Sequence, residues 1–187
     1  MPRLVLIAAG LLVLAGCSSP APPASSAPAT NSNPGRYNDT DVMFLQMMVP
    51  HLDQGISIVR LARDRAARPE VRTLAAAIET TQADEATTMA TRLRDWRQPP
   101  TAPAGSHLDH GGMPDTTAGE IATLTRIAGP GFDRRFLNTM IARQDDAIQL
   151  ARMESATGTN PETKALAARI DRSRSAQIEQ MLAYLGQ

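Results

Sequence analysis

The feature that limits this chain most is an internal repeat. Moved by 92 residues, the stretch Asp41–Ala62 falls without a gap on the segment that contains FLNTMIARQDDAIQLARM: Phe44 meets Phe136, Leu45 Leu137, Met48 Met140, Asp53 Asp145 and Ile56 Ile148. The register persists, with Pro69–Glu70 on Pro161–Glu162, Leu74 on Leu166, Ile78 on Ile170, Met89 on Met181 and Leu93 on Leu185. An ungapped match of this length marks a duplicated unit whose copies must bury their apolar faces together.

In the first copy Phe44, Leu45, Met48, Val49, Leu52, Ile56 and Val59 recur at intervals of three and four. A helix from about Thr40 to Asp64 puts them on one stripe and turns Asp53 to water. Pro69 and Glu70 suit the first turn of a second helix. Its stripe is Val71, Leu74, Ile78, Met89, Leu93 and Trp96, and it stops before Pro99–Pro100. Thr117 with Glu120 is a capping-box pattern opening a short helix to about Ala128, which Gly129-Pro130-Gly131 breaks. Helices from about Asp133 and from Asn160-Pro161-Glu162 repeat the first two. The expected fold is all-α, an antiparallel four-helix bundle of two hairpins, residues 37–98 and 132–187. A connector, residues 99–131, joins them and carries the short helix.

The N-terminus reads as an address. Arg3 precedes an apolar run from Leu4 to Ala15, too short to cross a bilayer comfortably, that ends Leu14-Ala15-Gly16-Cys17. That ending resembles a bacterial lipobox, which implies cleavage before Cys17 and lipidation of its thiol; the alternative is an ordinary signal peptide over residues 1–17. Cys17 is the single cysteine, so no internal disulfide can form. Residues 18–36 are rich in Ser, Pro and Ala and are expected to be a disordered tether. The membrane is therefore the expected partner, through a lipid on Cys17 at the extracytoplasmic face. With 19 acidic and 19 basic residues, no nucleic acid is expected. Of the nine methionines, most are read as packing in helix-bundle cores.

Chemistry should show where polar residues interrupt the stripes. His51 borders the first stripe, and Gln82 and Glu85 fall within the second. Their repeat equivalents are Arg143 for His51, Arg174 for Gln82 and Gln177 for Glu85, while Gln144 stands where the first copy has Leu52. In a hairpin that turns near residue 66, position 51 lies opposite about position 81. A semi-buried polar layer of His51, Gln82, Glu85, Arg143, Gln144, Arg174 and Gln177 is expected. A buried carboxylate is costly unless paired or metal-bound, and arginine's planar fork is its usual partner.

At these residues the chain resembles the domain of unknown function 305 family, secreted or lipid-anchored bacterial proteins with a ferritin-like bundle, some associated with copper or other metals. Asp41, Phe44, Met48, Pro50, His51 and Ile56 match the first copy of the family pattern, and Gln82, Glu85 and Met89 its second helix. His107, His110, Gly111 and Met113 look like its connector. Phe132-Asp133, Phe136, Met140 and Ile141 open its second copy. Of the four histidines in the family's two His-His pairs only His51 remains; Leu52 and Arg143-Gln144 stand in the other places. Arginine cannot ligate a metal. The resemblance therefore implies an internal metal site replaced by an Arg–Glu network.

Metal candidates that remain are Met43, Met47 and His51, four residues apart along one helix edge, with His107, His110 and Met113. Thioether with imidazole suits Cu(I), and imidazole alone suits Cu(II) or Zn(II). Packing, for the methionines, a hydrogen-bonded place in the polar layer, for His51, and a solvated loop, for His107 and His110, are the alternatives. The expected function is a cell-envelope lipoprotein of a copper-type bundle family with a degenerate site and at most weak metal binding. The alternative is a non-catalytic structural or protein-interaction lipoprotein without metal. No Ser-His-Asp order, Gly-rich phosphate loop or HExxH pattern is present, and no enzyme is expected.

Overall fold

A computed structural model describes residues 35–102 and 114–186. They form α1 (Asp39–Arg65), α2 (Pro69–Asp95), α3 (Ala118–Arg126), α4 (Gly129–Thr157) and α5 (Pro161–Leu185), with no strand among the described residues. The signal segment with Cys17, nearly all of the tether, and His107, His110 and Met113 lie outside the described residues.

Local chemistry sets the helix ends. Asn38 caps α1 in a box with Asp41, and Thr117 and Glu120 form the expected box at α3. Asn160 accepts from the Thr163 amide at the start of α5. Two boundaries differ from expectation. The connector ends at Ala128 and α4 begins at Gly129, because Pro130 fits a first helical turn, where its missing N–H forfeits nothing. Gly129 takes φ +67°, which glycine tolerates. The short helix stops at Arg126. Further along the chain, α1 continues through Pro50, which offers no N–H to the Gln46 carbonyl one turn earlier.

α1 packs along α2 and α4, α4 along α5, and α3 rests against α1 and α4. α2 runs back along α1. The connector then crosses to the far end, so α4 descends antiparallel to α1 and α5 returns. Two aspartates at repeat-equivalent positions fix this arrangement. Asp133, starting α4, accepts from the amides of Ala67 and Arg68 in the α1–α2 turn, both at 3.0 Å. Asp41, starting α1, accepts from the amides of Thr159 (3.1 Å) and Asn160 (2.9 Å) in the α4–α5 turn. Each hairpin thus caps the turn of the other.

The core comes in two parts. One gathers Phe44, Leu45, Met48 and Leu52 with Met89, Leu93, Ala151 and Ile170. The other gathers Ile58, Val59, Val71 and Ile78 with Phe132, Phe136, Met140 and Met181. Residues 82, 143 and 174 fall between them along the helices, and residue 51 lies at the inner end of the first.

Candidate functional site

The expected polar layer forms at this level. His51, Gln82, Arg143, Gln144 and Arg174 are buried, Arg174 and Gln144 completely. Glu85 and Gln177 are half-buried at its edge. A Cβ on Gly55 would lie 2.6 Å from the Gln82 amide oxygen, so glycine there makes room for the layer.

His51 and Arg143, equivalent by the repeat, face each other across the α1–α4 seam. The Arg143 guanidinium donates to the His51 carbonyl. The Arg143 carbonyl lies 3.1 Å from His51 Nε2. A carbonyl can only accept, so Nε2 carries the proton and Nδ1 keeps its lone pair. Nδ1 is buried without a partner among the described residues. Burial first, then the charge of Arg143, lowers the His51 pKa from 6.5 to about 3, so the ring is neutral at physiological pH. Arg143 also donates to Gln54 Oε1 at 2.5 Å and Thr116 Oγ1 at 2.9 Å. Burial brings its pKa down to about 10, so it remains a cation.

Across the α2–α5 seam Arg174 donates to Glu85 in an ion pair with the arginine fully buried. Burial works against both charges, raising the Glu85 pKa and lowering that of Arg174, with each partner's charge pulling the other way. Arg174 Nε and Nη1 have no partner among the described residues. Gln144 Nε2 donates to Gln177 Oε1 at 2.5 Å. Glu85 therefore pairs with Arg174, whereas Arg143 serves α1 and the connector.

The methionine edge lies beside the layer. Met47 is buried and Met43 half-buried, and both pack against the first core cluster. Both ends of the undescribed connector segment are held to α1. Gln46 Nε2 donates to the Pro99 carbonyl at 2.9 Å. Gln54 receives the Thr116 amide at 3.0 Å and donates to its carbonyl at 3.2 Å. Among the described residues, no three His, Cys, Asp or Glu side chains form a metal-holding group.

Sequence reasoning missed several residues. The reciprocal Asp41 and Asp133 were legible as aligned acids at two helix starts. Glu154 was legible as an acid one turn beyond Ala147 and Ala151 on the α4 stripe. It is fully buried at a position where the first copy has Ala62, also fully buried. Gln54 and Thr116, which hold Arg143, gave no signal.

Two solved DUF305 structures resemble this fold. One, described as a secreted protein from Streptomyces coelicolor, matches with TM-score 0.75 and 27% identity, over 79% of this chain and 92% of that one. A DUF305 fragment from Deinococcus radiodurans matches with TM-score 0.70 and 27% identity, over 80% and 97%. CopM in its Cu(II)-bound form matches with TM-score 0.66 and 32% identity, over 78% and 95%. No curated protein shows significant similarity to the chain. The model of the domain of unknown function DUF305 matches residues 41–185, and this protein belongs to that family.

Proposed function

We propose that the protein is a cell-envelope lipoprotein of a copper-binding type of bundle in which arginine has taken over the internal site. Metal binding is then weak and confined to the α1 edge and connector, through His51 with Met43, Met47, His107, His110 and Met113. The observation that carries this reading is the fully buried Arg174 guanidinium on Glu85, with Arg143 against His51. Two fixed cations there repel a third and can donate no lone pair.

Among the described residues of the buried layer, His51 is the side chain that fits a metal. Its Nε2–H is fixed by a backbone carbonyl, the usual arrangement behind a ligating imidazole, and its Nδ1 lone pair is free. A bound copper ion would be held there by imidazole and thioether donors and would supply soft-ligand affinity. The same arginines favour the competing reading, a structural or interaction lipoprotein without metal. Neither reading gives the protein a catalytic role. The copper-bound forms of CopM and the secreted Streptomyces relative support the choice of metal and compartment.

The test is titration of the full chain with Cu(I), Cu(II) and Zn(II). Weak Cu(I) binding, lost in His51→Ala or His107→Ala, supports the metal reading. Binding no tighter than that of a scrambled peptide of the connector supports the metal-free one. Rebuilding the paired histidines with Leu52→His, Arg143→His and Gln144→His should raise copper affinity. Loss of copper uptake in Glu85→Gln, with the fold intact, overturns the arginine-replacement idea. Mass spectrometry of membrane-extracted protein should find a lipid on Cys17.

A further inference from the structure

The end of the bundle opposite α3 holds two carboxyl groups that the polar layer does not use. Asp41 takes three donors on Oδ2, the amides of Asn38 (2.7 Å) and Thr159 (3.1 Å) and the Thr159 hydroxyl (3.1 Å), and one on Oδ1, the Asn160 amide (2.9 Å), which leaves Oδ1 a lone pair. Only an ionised carboxylate accepts so many. Glu154 on α4 is fully buried, and its carboxyl folds against Gly158, where any Cβ would collide with it. If ionised, both its oxygens lack a donor. The contact with Asp41 becomes a hydrogen bond only when Glu154 carries the proton.

We propose that Asp41 and Glu154 share one proton as a latch that closes the α4–α5 turn onto the start of α1 and loosens when the proton leaves. No atom other than that proton moves between groups; it goes to solvent. Burial first, then the Asp41 contact, raises Glu154 from 4.5 to about 8, while Lys164 on α5 pulls the other way. Arg92 of α2 reaches Asn160 and Glu162 of the same turn, and its charge is engaged there. The latch thus opens in mildly alkaline surroundings.

Glu154→Gln keeps a donor for Asp41 and cannot titrate. Between pH 5.5 and 7 the folding equilibrium constant of the native chain should fall about tenfold per pH unit relative to that variant, and less steeply as pH 8 is approached. Hydrogen exchange at the Thr159 and Asn160 amides, corrected for intrinsic rate, should accelerate from pH 7 to 9 in the native chain alone. Identical profiles in the two proteins overturn the latch. Should Glu154→Gln not fold, a carbon-13 titration of Glu154 in the native chain decides. A midpoint near 8 supports the latch, and one in the ordinary carboxylate range overturns it.

Discussion

The two hairpins agree where the chain turns and part company where it is most deeply buried. Asp41 and Asp133 cap each other's turns with the same bonds. Arg60 pairs with Glu79 on the first hairpin as Arg152 pairs with Asp171 on the second. At mid-height the first hairpin brings a neutral imidazole, an amide and a carboxylate, and the second brings two guanidinium groups. A duplicated unit keeps what both copies need to dock and is free to diverge where only one set of side chains fills a shared space. Here the divergence sets positive charge on one hairpin against the negative charge of the other.

The largest test of that contrast removes the compensation. Glu85→Gln leaves Arg174 buried as an unpaired cation and should cost about 3 kcal/mol, read as a lower urea midpoint with an unchanged slope. A loss comparable to that of a surface substitution would mean that the arginine finds water, and that the layer is not held by the pair. Next comes the shared feature. Asp133→Ala frees two turn amides, each worth about 1 kcal/mol as a cap, so about 2 kcal/mol should be lost. Asp41→Ala should cost at least as much, since Asp41 also caps α1 and meets Glu154. If only one of the pair matters, the docking is not reciprocal.

The agreements were the legible part. A period of three and four with a 92-residue repeat leaves a four-helix bundle little competition, and proline and asparagine marked the helix starts. The composition of the polar layer was legible too, since Gln82, Glu85, Arg143 and Arg174 interrupt stripes at one height. The pairing inside it was not. Nothing in the spacing tells that Arg143 turns to Gln54, Thr116 and the His51 carbonyl while Arg174 alone takes Glu85. That choice depends on which seam is closer and on where the connector returns, and both are tertiary facts. Glu154 gave only the weak signal of an acid on the α4 stripe, because a single acid on a helix is normally solvated; its complete burial and its place against Gly158 show it turned inward.

The divergent positions also titrate in opposite senses. His51, lowered to about 3 from 6.5, binds a proton less readily when folded, so stability climbs as pH rises through that interval. Glu154, raised to about 8 from 4.5, holds its proton when folded, so stability declines as pH rises from 4.5 to 8. The raised carboxyls of Glu85 and Asp146 lean the same way as Glu154. Each full proton amounts to about 1.4 kcal/mol per pH unit. His51 and Glu154 should nearly cancel each other between pH 4.5 and 6.5, with the decline emerging above that. His51→Asn should unmask a continuous decline from pH 4.5 upward. A profile unchanged by that substitution would show that His51 titrates in the fold as it does unfolded, and burial would then not keep the imidazole neutral below pH 6.5.

The smallest effect sharpens the comparison from the other side. Arg60–Glu79 at 2.7 Å and Arg152–Asp171 at 3.2 Å are equivalent pairs, and both arginines are more than half exposed, at 60% and 58% of the side chain. Water screens such pairs, and each contributes at most about 0.5 kcal/mol. Arg60→Ala and Arg152→Ala should therefore each shift the melting temperature by no more than roughly 2 °C, less still at high salt. Equal, small losses place these pairs with the features that both copies retain without depending on them. A loss several times larger at one of them would mean that charge divides the hairpins at the surface as well as at the core, and the buried layer would no longer be the single level where they were put to different use.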